Sequence, residues 1–287
     1  MSTGQRVPGA RVRSTVNYVR NPPSEGASPL EFVTEDESRS TMETVPGQEV
    51  WVRDARPLPT DLDREGFVLV QHASSVVDFD AIEEEAAVDD AYTAEMTELL
   101  REVTGASFAL MLGGGKKRHA ERAVEKLAPL ANAKPARYPH ADNTDTSAVG
   151  LVDMIARFVP DLDLESYSRW ALYNMWRCVS PPPQDVPLAV CDARSVRADD
   201  ELTVVAVTTV RGSGDLRHDT TGYLHSPAHR WHYYPNLTAG EVVVFKAHDS
   251  DPQRAGRVPH TAFDDATCPD DAPPRASVEM RGLALFA

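Results

Sequence analysis

Cysteine is scarce in this chain: Cys178, Cys191 and Cys268 are the three in 287 residues, an odd number with no CxxC spacing. That excludes a disulfide framework and a thiolate zinc site, and it makes a reducing cytoplasm the expected compartment. Long apolar runs are lacking too. Nowhere do about 18 apolar residues follow one another as a membrane span requires, and no apolar stretch follows Arg6, Arg11 and Arg13, so neither a span nor an export signal is expected. Positive charge is in short supply, with 29 Lys plus Arg against 44 Asp plus Glu for a net charge of −15. The summed field repels phosphate backbones and anionic bilayers, so the expected partner is a small-molecule substrate rather than nucleic acid or a membrane. Oligomeric state is written in no motif.

Hydrophobic residues at 41% and charged residues at 25% suit a soluble globular protein with a sizeable core. A single core grows to roughly 250–300 residues, so 1–287 is expected as one domain. Prolines 8, 22, 23, 29, 46, 57 and 59 break residues 1–60, which predicts an extended arm over the surface. Residues 61–135 are expected as mainly helical support: a strand at Gly66–Val70, an acidic helix over Phe79–Glu102 ending before Gly105, a strand at Ser107–Leu112 and a basic helix over Lys116–Leu130. A further helix is expected over Ser147–Phe158. From Trp170 onward come short β-rich runs, Trp170–Cys178, Pro187–Cys191, Leu202–Val210, Glu241–Phe245 and Ser277–Phe286, at the spacing of a sandwich or barrel. Helices early and strands late make the expected class α+β, with helices buttressing a β core over 136–287.

The chemistry is carried by three motifs in order, HxD, then His, then RxS, with a further pair on a strand. His140-Ala141-Asp142 sets a histidine and a carboxylate two residues apart, which in a strand turns both to one side. By itself that spacing is equally compatible with a polar loop. His260, in Pro259-His260-Thr261-Ala262-Phe263, offers a third donor, and two imidazoles with one carboxylate on one face of Fe(II) leave positions open for a cosubstrate and O2. Arg275 and Ser277 follow as RxS, a guanidinium fork plus a hydroxyl suited to the distal carboxylate of 2-oxoglutarate. Asn174 and Trp176, two apart on an expected strand, face together; Asn174 is a candidate to bond a 2-oxoglutarate carboxylate, with a satisfied buried amide as the plain alternative.

Asn174-Met175-Trp176-Arg177, Pro187-Leu188-Ala189-Val190-Cys191-Asp192-Ala193-Arg194-Ser195-Val196, His229-Arg230-Trp231 and Pro259-His260-Thr261-Ala262-Phe263-Asp264-Asp265, with Asp54-Ala55-Arg56-Pro57-Leu58 ahead of them, resemble the cephem methoxylase and fungal hydroxylase/desaturase family of Fe(II)/2-oxoglutarate oxygenases. The resemblance runs from about Val16 onward and is densest between His140 and Arg281. It implies a double-stranded β-helix (jelly-roll, cupin-like) core, iron at His140, Asp142 and His260, cosubstrate at Arg275, and activity on a specialised metabolite. Hydroxylation is the expected outcome, with desaturation or ring closure as alternatives. Gly113-Gly114-Gly115-Lys116-Lys117-Arg118 departs from the family, where an Asp-His-Thr-like stretch is usual, and so does Asn143.

Other readings stay open at this point. His225, His229 and His232 form a second cluster that would serve a zinc hydrolase, although Pro227 argues against a helix there. Trp231 and Tyr233, with Trp176, are the substrate-contact candidates, and core packing is their plain alternative. Gly113–Arg118 reads as a flexible turn or lid. Lys246 and Arg281 are lesser candidates for the carboxylate anchor. An iron oxidase working without 2-oxoglutarate, and a non-catalytic β-sandwich binding protein, complete the alternatives.

Overall fold

The computed structural model describes residues 9–22, 29–34, 36–124, 134–210 and 214–287. In chain order the elements are β1 (Arg11–Val19), β2 (Leu30–Val33), β3 (Thr44–Asp54), β4 (Phe67–Gln71), α1 (Ala86–Thr104), β5 (Phe108–Met111), β6 (Lys116–His119), α2 (Glu121–Val124), β7 (His140–Ala141), α3 (Asp145–Phe158), β8 (Arg169–Cys178), β9 (Leu188–Cys191), β10 (Glu201–Val210), β11 (Gly214–Tyr223), β12 (Trp231–Tyr233), β13 (Glu241–Asp249), β14 (His260–Ala262) and β15 (Ala276–Phe286). They build two facing sheets: nine strands ordered β1-β3-β12-β9-β14-β7-β11-β10-β2, and six ordered β4-β13-β8-β15-β5 with β6 on β15. This is the expected jelly-roll core, with α1 packed on the outer face of the smaller sheet and α3 against Leu172, Leu283 and Leu285 on its inner face.

The central strands β8 and β13 are buried along nearly their whole length. One face meets the space between the sheets and the other meets α1, so these strands read as apolar runs rather than alternating ones. The Asn174–Arg177 stretch shows the division. Met175 packs against Tyr92, Met96, Leu99 and Leu100 of α1, and Arg177 donates from Nε to the Tyr92 hydroxyl at 3.0 Å. Asn174 and Trp176 face the other way. Helix α1 stops at Gly105, whose φ of +68° is costly for a side-chain-bearing residue and whose amide donates to the Arg101 carbonyl. It starts later than the expected Phe79, because Glu83 at φ +71° interrupts the acidic run.

The described residues of 1–60 form part of the large sheet rather than an arm over its surface: β1 and β3 pair along most of their length at one edge and β2 closes the other. Their prolines mislead because Pro46 sits where the β1–β3 register shifts, next to Gly47, whose amide donates to the Asn17 side chain; a bulge tolerates the missing N–H. Residues 61–135 are likewise less helical than expected, giving β4, β5 and β6 beside α1. The expected basic helix over Lys116–Leu130 begins instead as strand β6, because the edge of β15 supplies backbone partners for it; its residues 125–130 lie outside the described residues.

Candidate active site

His140 and His260 stand directly opposite each other on the neighbouring antiparallel strands β7 and β14, in one row with Gly222 and Val190. Their ring centroids are 4.2 Å apart. Asp142 lies just beyond β7, where the chain turns into α3. Its neighbour Asn143 is tied by its carbonyl to the Thr221 hydroxyl at 2.8 Å, and Thr144 and Ser147 cap the helix reciprocally. The donor atoms of His140, Asp142 and His260 all lie within 4.8 Å of one another, and among the described residues no other such group occurs.

The hydrogen bonds prepare these atoms for a cation. Nδ1 of His140 lies 3.0 Å from the Tyr138 carbonyl and Nδ1 of His260 3.2 Å from the Val258 carbonyl. A carbonyl only accepts, so each Nδ1 carries the proton and each Nε2 presents its lone pair. Burial, with His140 beside it, pulls the pKa of His260 down to about 4, so the ring is neutral at physiological pH. Burial opposes ionisation of Asp142, but Arg281, the two histidines and Asn174 overcome it and hold the carboxyl well below its ordinary range. Two imidazoles and one carboxylate on one side fit a divalent iron with open positions.

The small sheet supplies the opposite wall. Asn174 and Arg281 are register partners on β8 and β15, and they grip the two oxygens of Asp142: Asn174 Nδ2 donates to Oδ2 at 2.6 Å and Arg281 to Oδ1 at 2.7 Å. Asn174 therefore serves the acidic ligand, where the sequence had offered it to the cosubstrate. Its Oδ1 is buried with no partner among the described protein groups, an acceptor left for a bound molecule. The Arg281 side chain is 45% exposed.

Further along the same side lie Ser277 on β15 and Arg275 just before the strand begins. Arg275 is 3% exposed. It donates from Nε to the Val186 carbonyl at 3.0 Å and from one terminal nitrogen to Ser277 Oγ at 2.5 Å, and it lies 5.7 Å from the Trp176 ring. Burial pushes its pKa down, and Glu121, Glu279 and Asp185 act on it only from a distance; Asp185 accepts from the Arg275 backbone amide instead. A buried guanidinium with no ion-paired carboxylate among the described residues is a costly arrangement unless a ligand completes it.

Other sequence candidates are placed elsewhere. Trp231 and Tyr233 alternate with His232 on β12 and so point to the opposite face of the sheet, where Trp231 donates to the Tyr18 hydroxyl at 2.8 Å and Tyr233 packs on Phe263. They are core, not substrate contacts, because the β1–β3 pair covers that face. His229 bonds Tyr18 and Asp200, so the His225, His229 and His232 cluster does not converge. Lys246 is locked to Asp63 and Asp249 at 2.7 and 2.6 Å. The glycine loop is no free lid, since the Gly115 amide donates to Asp89 of α1 and the Lys117 amide to Glu83. Sequence reasoning missed His218, which faces the site from β11 within electrostatic reach of Arg281 and Asp142. It also missed Tyr138 and Phe32, whose tilted rings lie 4.8 Å apart, with Tyr138 5.1 Å from His140. Strand β11 is too polar to read as a strand, and nothing in the local pattern ties residue 32 to residue 138.

Comparisons with known proteins agree with this geometry. Residues 16–285 match the family model described as an oxidoreductase/YMDC permease-like domain. The chain is 32% identical over 96% of its length to the hydroxylase/desaturase efuI of Hormonema carpetanum, of which it covers 95%. It is 29% identical over 81% of its length to the Fe(II)/2-oxoglutarate-dependent dioxygenase nvfI of Aspergillus novofumigatus, of which it covers 81%. The solved structure of the iron and alpha-ketoglutarate-dependent endoperoxidase NvfI superposes with a TM-score of 0.80 at 26% identity, covering 96% of this chain and 98% of that one. The hydroxylase/desaturase side of the resemblance is thus borne out, and no helix among the described residues is long and apolar enough to cross a membrane.

Proposed function

Since the chain belongs to the oxidoreductase/YMDC permease-like family, alongside fungal hydroxylase/desaturases and Fe(II)/2-oxoglutarate-dependent dioxygenases, we propose that it is a non-haem Fe(II)/2-oxoglutarate-dependent oxygenase with iron at His140, Asp142 and His260. Bound there, Fe(II) with 2-oxoglutarate and O2 supplies the oxidising power to break a substrate C–H bond, the cosubstrate leaving as succinate and CO2. The observation that carries the reading is Arg275, a buried guanidinium set beside Ser277 on the strand face that also bears Arg281. An oxidase without 2-oxoglutarate would have no use for it.

Each protein group has a task. Arg275 and Ser277 fix the far carboxylate of the cosubstrate by charge-assisted hydrogen bonds. The Tyr138 and Val258 carbonyls hold the imidazoles in the ligating tautomer, and Asn174 with Arg281 keeps Asp142 oriented. Phe32 and Tyr138 make an apolar wall next to His140 that positions a small, largely apolar metabolite and limits water, while His218 and Arg281 offer it polar contacts. Trp176, beneath Arg275, shapes the cosubstrate end. Hydroxylation is the outcome we assign, within one catalytic domain that both sheets build. Three free cysteines support a cytoplasmic site of action. The test is stoichiometry: with a hydroxylatable metabolite, O2 consumed and succinate formed should match, and both should vanish in His260→Ala. Succinate formation that persists in His260→Ala would refute the assignment.

A further inference from the structure

The glycine-rich stretch that departs from the family has a consequence at the cosubstrate end. Gly115 is anchored on Asp89, which starts β6 so that Arg118 pairs with Ser277 and Lys116 with Glu279. Directly paired residues in an antiparallel ladder share a face, so Lys116, Arg118, Ser277, Glu279 and Arg281 all lie on the side of the space between the sheets; the exposed Lys116 ammonium pairs outward with Glu83 at 3.1 Å, which leaves Glu279 to Arg118. On β15 the inward order is therefore Arg275, Ser277, Glu279, Arg281. Glu279 is a carboxylate standing between the Arg275–Ser277 clamp and the end where Arg281 meets Asp142. It also acts electrostatically on His260, Arg275 and Arg281.

A carboxylate in that position works against the reaction proposed above, because a dianion spanning from the clamp to the metal has to lie alongside it. The structure answers with Arg118, which donates to Glu279 Oε1 at 2.8 Å. The two side chains are 21% and 28% exposed, so solvent screens their field only in part. The strand itself is fixed, since the Ser277 hydroxyl also reaches the Arg118 carbonyl at 3.5 Å.

We propose that Arg118 is a specificity-determining residue for the dianionic 2-oxo acid, acting by neutralising Glu279 beside its path; the inference rests on the 2-oxoglutarate reading above. Arg118 does not itself replace the clamp. Without it, Glu279 repels the incoming dicarboxylate; without both charges, the channel is neutral again and the dicarboxylate is readmitted.

The experiment is calorimetric titration of 2-oxoglutarate into Fe(II)-loaded protein under nitrogen, for wild type, Arg118→Met, Glu279→Gln and the double variant, each checked for an unchanged melting temperature and Fe(II) affinity. Arg118→Met should weaken Kd about tenfold, the effect of one partly screened like-charge contact. The double variant should return to within about twofold of wild type, because near-complete coupling is the sign of a direct pair. An unchanged Kd in Arg118→Met, or a double variant as weak as Arg118→Met, overturns the proposal. If wild type itself binds Fe(II) but no 2-oxoglutarate, the cosubstrate reading falls and takes this proposal with it, an outcome distinct from either of those.

Discussion

Replacing Arg275 with methionine should separate stability from function in opposite directions. The guanidinium is 3% exposed and held by one backbone carbonyl and one hydroxyl, with no paired carboxylate among the described residues. Burying an ion without its counter-ion costs several kcal/mol, whereas leaving the Val186 carbonyl and Ser277 hydroxyl unmet costs about 1–3 kcal/mol each. A methionine of similar reach fills the space, so the cofactor-free variant should be as stable as wild type or more so. Binding should suffer heavily: losing a buried charge-assisted fork is worth about 2–5 kcal/mol, or roughly a hundredfold in Kd. The assay is thermal unfolding of Fe(II)-loaded protein under nitrogen. At 2-oxoglutarate equal to about 100 times Kd, wild type gains about 2.7 kcal/mol. A chain of this size shifts by about 2 °C per kcal/mol, so its melting point should rise by about 5 °C. In the variant the same concentration is near Kd, and the rise should stay below about 1 °C. A variant that loses several degrees without ligand yet keeps the full ligand shift would refute the reasoning, for Arg275 would then be a structural residue.

Further outcomes follow from the same contacts. Trp231→Phe should cost about 1–3 kcal/mol through loss of its bond to Tyr18 and of ring volume, measured by urea unfolding, while leaving KM for substrate and cosubstrate unchanged. Leu100→Ala, in the cluster where α1 packs on β15, should cost about 2–5 kcal/mol by the same measurement. Burial opposes ionisation of Glu241, but Arg56, the Thr238 amide and Gln71 overcome it and hold its pKa at about 2. Its contribution to stability is therefore complete above the ordinary carboxylate pKa of about 4.5 and is lost as pH falls toward 2; Arg56→Ala should flatten that part of the acid unfolding curve. Asn174→Ala should weaken Fe(II) affinity about 10–100-fold with little effect on the affinity of the loaded protein for 2-oxoglutarate, since its contact is to Asp142.

What the sequence made legible, and what it hid, divides along the range of the interactions. The convergence of His140, Asp142 and His260 was readable because two imidazoles and a carboxylate are a fixed chemical requirement for iron, and Arg275 beside Ser277 because their spacing of two turns both to one face. Strands β8, β9 and β15 were readable as apolar runs. Strand β13 was read only to Phe245 because Lys246, His248 and Asp249 look like a surface, yet burial of the Lys246–Asp249 pair keeps the strand going. The polar strand β11 and the three-residue β12 and β14 exist through their neighbours' backbone bonds, which no local pattern records. The same holds for the clamp on Asp142. Asn174 and Arg281 meet it only because β8 and β15 are adjacent and face β7 across the interior, a fact of topology rather than of spacing along the chain.

The most direct test of the central claim is anaerobic addition of Fe(II) and then 2-oxoglutarate to the purified protein, following the weak visible charge-transfer absorption of the iron–cosubstrate chelate. The band should develop in wild type, be absent in His140→Ala and require far more 2-oxoglutarate in Arg275→Met. Iron bound at the triad with no band at any 2-oxoglutarate concentration, or a band unchanged in both variants, would contradict it.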